Sequence, residues 1–353
     1  MPPFAHALLQ RCRRGLTRLV AWLEGLPLLP GGLKLWISLL SFGFLLAALV
    51  GHGRQLLQLS LDRQGWLWLL LGVGVSLLSL VVNGLAWGIV LRWLGHRPRW
   101  AAVVLLFLSS NVRKYLPGGI WHLAQRLRCL QGISAEASPQ EEVSSMAPLP
   151  QPLSGREAAV AVLLEPLLAA VAALALVPMG GWQGGLGLLA LVPLVALLPR
   201  WFAPLLERLQ RHRTQQWAQW GLLQGEATAA EPPPLQGRGY PWPPLLAELA
   251  FLLLRFGGFA CCVQAFDLAY SLGWGGWLAG FALAWTAGLV VPGAPGGLGV
   301  FETVLLLRLT AVVPEAPLLA VAISYRLVSA AADLLAAATA RRDLAVIRNR
   351  AYC

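Results

Sequence analysis

Residues 111–127 read NVRKYLPGGIWHLAQRL, and this stretch decides how the rest of the chain is interpreted. It follows an apolar run, yet it carries four basic side chains: Arg113, Lys114, His122 and Arg126. At its centre lies Pro117-Gly118-Gly119, and Pro and Gly are the two poorest helix formers. The stretch is therefore predicted to interrupt a helix rather than to continue one.

The composition of the whole chain predicts a membrane protein. Of 353 residues, 57% are hydrophobic and only 12% are charged, whereas soluble domains carry about a quarter charged residues. Several apolar runs approach the roughly 20 residues that cross a bilayer. The net charge of +11 lies beside these runs, where topology and anionic lipid headgroups account for it, so no nucleic-acid partner is expected.

The apolar runs predict an all-α polytopic bundle. Clear spans are expected near 34–50, 66–91, 157–178, 183–199, 244–270 and 317–339. Two further apolar regions, 100–130 and 275–313, are interrupted by Pro and Gly and are predicted to be broken or re-entrant helices. Segments 131–156 and 214–243 are rich in polar residues and Pro, which is typical of flexible extramembrane loops.

The distribution of cations predicts the orientation. If 100–130 is a hairpin that enters and leaves on the cytoplasmic side, 22 of the 27 Lys and Arg residues fall in cytoplasmic segments. The positive-inside rule favours that arrangement, with both termini in the cytoplasm. Charge does not decide whether 275–313 forms two short spans or a hairpin from the outside. The hairpin would complete an inverted repeat of span, hairpin and span, which is a common transporter plan.

The first break has the chemistry of an anion site. Half-helix ends inside a membrane leave free N–H groups, which suit a phosphate. Cationic and amphipathic side chains surround the break, namely Arg113, Lys114, Tyr115, Trp121, His122 and Arg126. The alternative is a positive-inside flank with an ordinary aromatic belt.

The second break brings a different set of residues. Pro295, Gly296, Gly297 and Gly299 precede Glu302, which either serves the site or simply caps the next helix. Arg326 lies in the middle of an apolar span, where a cation usually faces a cavity or an acid. Asp333 follows seven positions later on the same helical face. Glu302 and Arg326 are candidates for an ion pair.

Other acids also lie within spans. Glu165 is a mid-span acid and is taken as a candidate site residue. Glu248 and Arg255, also seven apart, are candidates for a structural ion pair along one helix.

Both breaks resemble those of a known family. KYLPGGIWH at 114–122, PGAPGGLGVFE at 292–302 and the Tyr325-Arg326 pair look like the lysylphosphatidylglycerol synthase transmembrane family. This is the flippase-like membrane module also found in the multiple peptide resistance factor. The resemblance implies re-entrant helices, a lipid-handling cavity and a flippase-like domain over 34–340, between a basic cytoplasmic segment at 1–33 and a cytoplasmic tail at 341–353.

The resemblance also implies a function. We expect a lipid translocase of the prokaryotic inner membrane that handles an anionic or phosphate-bearing lipid. We expect neither synthase activity nor a cofactor nor a metal site. No GxxxxGK[ST] sequence occurs, so energy would come from an ion gradient, or movement would be passive. The alternatives are a membrane transferase acting on a lipid-linked substrate and a membrane subunit beside a soluble lipid-modifying enzyme.

Overall fold

The computed structural model describes residues 61–116, 120–133, 147–181, 186–198, 202, 239–291 and 295–351. These ranges contain nine α-helices and no strands: α1 (Arg63–Trp93), α2 (Trp100–Asn111), α3 (Trp121–Leu130), α4 (Gly155–Leu176), α5 (Leu186–Ala196), α6 (Trp242–Ala265), α7 (Trp274–Val290), α8 (Val300–Leu309) and α9 (Glu315–Ala351). The segment 1–33, the predicted span 34–50 and the triplet Pro117-Gly118-Gly119 lie outside the described residues.

Four of the described helices are long and apolar enough to cross a membrane. They cover Arg63–Trp93, Gly155–Gly180, Trp242–Ala265 and Glu315–Leu344. The spans predicted from the sequence at 66–91, 157–178, 244–270 and 317–339 are therefore confirmed as helices. The span predicted at 183–199 corresponds to the 11-residue α5 in its described part. The protein is a multi-pass helical membrane protein.

Helices α2 and α3 form a short hairpin. They contain 12 and 10 residues, which makes them about 18 and 15 Å long, too short to cross a core of roughly 30 Å. The amide of Arg99, before α2, donates to Pro148 O (2.9 Å), and the amide of Leu153 donates to Leu130 O at the end of α3 (2.8 Å). Both ends of the hairpin thus meet one short segment, so the chain turns back as predicted.

Helices α7 and α8 form a second hairpin. Gly280 faces Leu309, while Gly288 faces Gly297 and Phe301, so the two helices run antiparallel. Helix α8 has 10 residues, about 15 Å, and does not reach across a bilayer. Its length favours a hairpin over two short spans for this region.

The long helices α1 and α6 are packed antiparallel at the centre of the bundle. Gly65 lies opposite Ala265, and Gly72 lies opposite Gly258 and Cys261. Small residues at such contacts let two membrane helices approach closely. Because the helices are antiparallel, their C-terminal ends lie at opposite ends of the bundle. The two hairpins, which follow α1 and α6, therefore enter from opposite ends.

Helices α1–α4 and α6–α9 form two halves, and the contacts that one half makes with the other are repeated in the opposite direction. Helix α4 packs against α6, and its counterpart α9 packs against α1. Helix α2 of the first hairpin contacts α9, and α7 of the second hairpin contacts α4. This reciprocal packing, with hairpins of opposite direction, is the arrangement of an inverted repeat.

Candidate functional site

The tips of the two hairpins meet inside the bundle. The first tip includes the 3₁₀ turn Val112–Tyr115, and the second includes the turn Pro295–Gly297. Gly296 has φ of +60°, and a Cβ atom there would lie 2.9 Å from Cε1 of the Tyr115 ring. The backbone conformation and the close aromatic neighbour both require glycine at this position.

Asp333 of α9 holds the first tip. Its side chain is fully buried, and its two oxygens accept from three donors. Lys114 Nζ lies 2.7 Å from Oδ2, the Tyr115 hydroxyl donates to the same oxygen at 2.6 Å, and Asn111 Nδ2 donates to Oδ1 at 2.8 Å. A buried carboxylate with a cation and two neutral donors is well compensated.

Arg326, also on α9, holds the second tip. Its Nε donates to Glu302 Oε1 at 2.5 Å, while Nη1 and Nη2 donate to the carbonyls of Gly296 and Gly297, both at 2.6 Å. The other carboxylate oxygen of Glu302 accepts from the amide of Gly299 at 2.8 Å, which caps α8. The ion pair and the capping role anticipated from the sequence are thus both present.

A cavity of about 110 Å³ lies beside the first tip. Cationic side chains dominate its polar wall, namely Lys114, Arg126 and Arg255, with His122 next to them. Glu165 is the acid in this wall, and Asn83 and Asn111 are its amides. The rest of the wall is largely apolar and includes Phe107, Phe251 and Trp285.

Arg126 of α3 is deeply buried at the edge of this cavity. Its side chain is 2% exposed. Nη1 pairs with Glu165 Oε2 at 3.3 Å, Nε donates to Ser110 Oγ at 3.0 Å, and the guanidinium lies 3.8 Å from the centre of the Phe107 ring. Nη2 has no hydrogen-bond partner among the described residues.

Arg255 of α6 also reaches the cavity, which corrects an expectation from the sequence. The spacing of seven residues suggested an ion pair between Glu248 and Arg255. Instead, Arg255 Nη2 donates to the hydroxyl of Ser329 on α9, and both oxygens of Glu248 are without a hydrogen-bond partner in the described part of the chain. Arg255 Nη1 is likewise without a partner there. The spacing identified a shared helical face, but neighbouring helices determine what each side chain contacts.

The candidate residues lie in three places: the cavity wall, the meeting point of the hairpin tips with α9, and the exposed surface. Those that line the cavity are Lys114, His122, Arg126 and Glu165. Those at the meeting of the tips and α9 are Tyr115, Pro295, Gly296, Gly297, Gly299, Glu302 and Arg326. Arg113 is exposed and Trp121 is 47% exposed. Substrate binding by these residues, and by Pro117, Gly118 and Gly119 outside the described ranges, stays a prediction.

Comparison with known proteins identifies the family. The sequence profile described as the lysylphosphatidylglycerol synthase TM region matches residues 33–337. The chain belongs to this family. The resemblance drawn from the two PGG motifs is therefore confirmed, as is the multi-pass membrane location. A search of curated proteins gave no match.

Proposed function

We propose that this family member is a lipid translocase that moves a phosphate-bearing lipid between the leaflets of a prokaryotic inner membrane. The main support for the proposal comes from two arginines in the cavity wall. Arg126 and Arg255 are 2% and 5% exposed, and each has one terminal nitrogen without a partner among the described residues. A buried donor left unsatisfied costs about 1–3 kcal/mol. The oxygens of an anion in the cavity would accept from both.

The charges in the wall favour an anion. Lys114 is paired with Asp333, and Arg126 is paired with Glu165. Arg255 interacts electrostatically with Asp333 but forms no ion pair in the described ranges. Three cations, Lys114, Arg126 and Arg255, thus share the two carboxylates of Asp333 and Glu165, which leaves an excess of positive charge. A guanidinium presents donors in a fork that matches phosphate oxygens. The family's name refers to a synthase of lysylphosphatidylglycerol, a lipid whose headgroup contains a phosphate.

The hairpin tips supply the barrier that a translocase needs. Where the tips meet, Asp333 and Arg326 bind them to α9, next to the cavity. Movement of a headgroup past this point requires these contacts to open. The distribution of Lys and Arg supports a cytoplasmic entry for the α2–α3 hairpin. We propose that lipid enters from that side.

The proposal is tested by transbilayer movement of labelled lipid in vesicles that contain the purified chain. We expect a fluorescent phosphatidylglycerol in the inner leaflet to become accessible to an impermeant quencher faster than in protein-free vesicles. Arg255→Gln should slow this movement about tenfold, because a charge-assisted hydrogen bond contributes roughly 1.5–3 kcal/mol and each 1.4 kcal/mol is about tenfold.

Arg341→Gln is the matched control, since Arg341 is exposed on α9. It should move lipid at the wild-type rate. Equal rates with and without the protein, for phosphatidylglycerol, phosphatidylethanolamine and phosphatidic acid alike, would disprove the proposed function.

A further inference from the structure

Glu248 on α6 is a buried acid that the lipid site does not use. Its side chain is 0% exposed. Neither of its carboxylate oxygens has a hydrogen-bond partner among the described residues. It lies one turn from Phe251, which lines the cavity. A buried acid without donors, so close to a polar cavity, calls for a physical explanation.

The charged groups that face Glu248 come from α3 and α4. Arg126 and Glu165 both interact electrostatically with it. The Arg126 guanidinium is hydrogen-bonded to Glu165 at 3.3 Å, however, and not to Glu248. One guanidinium therefore has one bound carboxylate and a second carboxyl group nearby.

The other helices that pack on α6 offer Glu248 no compensating cation. Helix α7 has no charged residue, and the charges of α1 are at its ends, Arg63 and Arg92. Helix α9 contacts α6 through Ser329, which bonds to Arg255, and through Tyr325, which packs on Phe259. Its charged groups Arg326 and Asp333 are paired with Glu302 and Lys114. Arg255 itself is seven residues from Glu248, about 10.5 Å along the helix axis.

This environment suits a neutral carboxyl group. An ionised carboxylate that is buried without a partner costs several kcal/mol, and charged residues in the middle of membrane helices are similarly unfavourable. The neutral acid avoids most of this cost. The conformation described here therefore fits Glu248 with a bound proton.

We propose that Glu248 is a proton-binding site that controls how strongly Arg126 binds the lipid phosphate. This inference rests on the proposed function. When Glu248 holds a proton, Arg126 faces one carboxylate, and its Nη2 is available to a phosphate oxygen. When the proton leaves, the second carboxylate competes with the phosphate for the same guanidinium. Proton and anionic lipid therefore bind in the same state.

The charge balance of this scheme is simple. One proton binds reversibly to one carboxylate, and no other bond forms or breaks. Its positive charge offsets the single negative charge of a phosphodiester headgroup, so the two can move together without net charge. Linkage then requires that each ligand raise the affinity for the other, typically by about 5- to 150-fold.

The test uses the full chain in vesicles with a pH gradient across the membrane. We expect fluorescent phosphatidylglycerol to move at least about fivefold faster in the direction in which protons run down their gradient than after a protonophore is added. In Glu248→Gln the two rates should be the same. Glu248→Asp, which keeps a titratable group, should retain a response.

Asp343→Asn is the matched control, because Asp343 is an exposed acid on α9, and it should respond to the gradient like the wild type. If Glu248→Gln moves no lipid, a second measurement tests the proposal without lipid movement. Short-chain phosphatidylglycerol should stabilise the detergent-purified wild type against heat more strongly at acidic than at alkaline pH. It should stabilise Glu248→Gln equally at both.

The outcomes separate this inference from the proposed function. Wild-type protein that moves lipid at one rate with and without the pH gradient would overturn the proton site alone. So would a response to a sodium gradient instead, or a Gln variant that keeps the pH response and differs only in its preference for phosphatidylethanolamine. Wild-type protein that moves no lipid under any condition would remove both proposals.

Discussion

Arg326 commits all three guanidinium nitrogens to the second hairpin. Two of its bonds go to backbone carbonyls in the turn Pro295–Gly297, and the third goes to Glu302, which is 1% exposed. The turn has few backbone partners of its own, and the interior of a membrane has no water to donate hydrogen bonds to its carbonyl groups. Arg326 therefore replaces the hydrogen bonds that the turn interrupts.

Replacement of Arg326 should abolish lipid movement while the protein stays inserted. In Arg326→Ala, two carbonyls and one oxygen of the buried Glu302 carboxylate lose their donor, and each buried acceptor left without a donor costs about 1–3 kcal/mol. Arg326→Lys should fail as well, because an ammonium group does not reproduce the planar fork. The measurements are transbilayer rate and thermal stability in detergent.

Arg341→Ala is the control for this prediction, and it should leave both quantities unchanged because its side chain is exposed. Full activity of Arg326→Ala would show that the second tip does not depend on this side chain.

The sequence predicted some of these residues and not others, for a physical reason. Glu302 follows the PGG break directly, and Arg326 is costly within its span, so both stood out. The role of Asp333 at the first tip was not predictable, because its partner Asn111 lies 222 positions away. Arg255 was assigned to Glu248 from spacing along one helix, whereas its partner Ser329 belongs to another.

At the scale of elements, the contact between α1 and α6 depends on a few small residues. A Cβ atom on Gly72 would lie 3.2 Å from Cys261 Cβ and 3.3 Å from the Gly258 carbonyl. A larger side chain would push the two helices apart. Gly74, two positions along α1, has no such neighbour within 4 Å.

These two glycines make a matched pair of substitutions. Gly72→Leu should destabilise the protein by about 1–3 kcal/mol through overpacking and lower its melting temperature in detergent. Gly74→Leu adds the same side chain on the open face and should leave the melting temperature near that of the wild type. Equal effects of the two changes would mean that the contact between α1 and α6 tolerates separation.

Helix boundaries were largely predictable, and the nature of the second broken region was not. Length and hydropathy located α1, α4, α6 and α9, since about 20 apolar residues suffice for a span. The PGG triplet and the charge bias indicated the first hairpin. Charge counting leaves 275–313 undecided because both alternatives return the chain to the same side. The 10-residue length of α8 favours the hairpin, and the sequence pattern did not indicate this length.

For the whole molecule, the antiparallel α1 and α6 fix the sidedness of the two hairpins. The first begins after the end of α1, near Arg97, and the second begins after the end of α6, near Tyr270. Both side chains are exposed, that of Tyr270 fully. These positions must lie on opposite sides of the membrane if the hairpins enter from opposite ends.

Cysteine labelling tests this sidedness. In a chain whose five cysteines are replaced, Arg97→Cys should react with an impermeant maleimide only from the cytoplasmic side. Tyr270→Cys should react only from the outside. Reaction of both from one side would rule out the inverted repeat, and reaction from the two sides in reverse would keep the repeat and invert the orientation.

The attachment of both hairpin tips to α9 has a consequence for the leakage of small ions across the membrane. Asp333 and Arg326 are seven residues apart on one continuous helix, so a tilt of α9 changes both attachments together. Under the proposed function, a lipid headgroup would pass this region in steps, and potassium and other small ions would find no uninterrupted water column. Vesicles that contain the wild-type protein should consequently keep an entrapped dye and a potassium diffusion potential for as long as empty vesicles do.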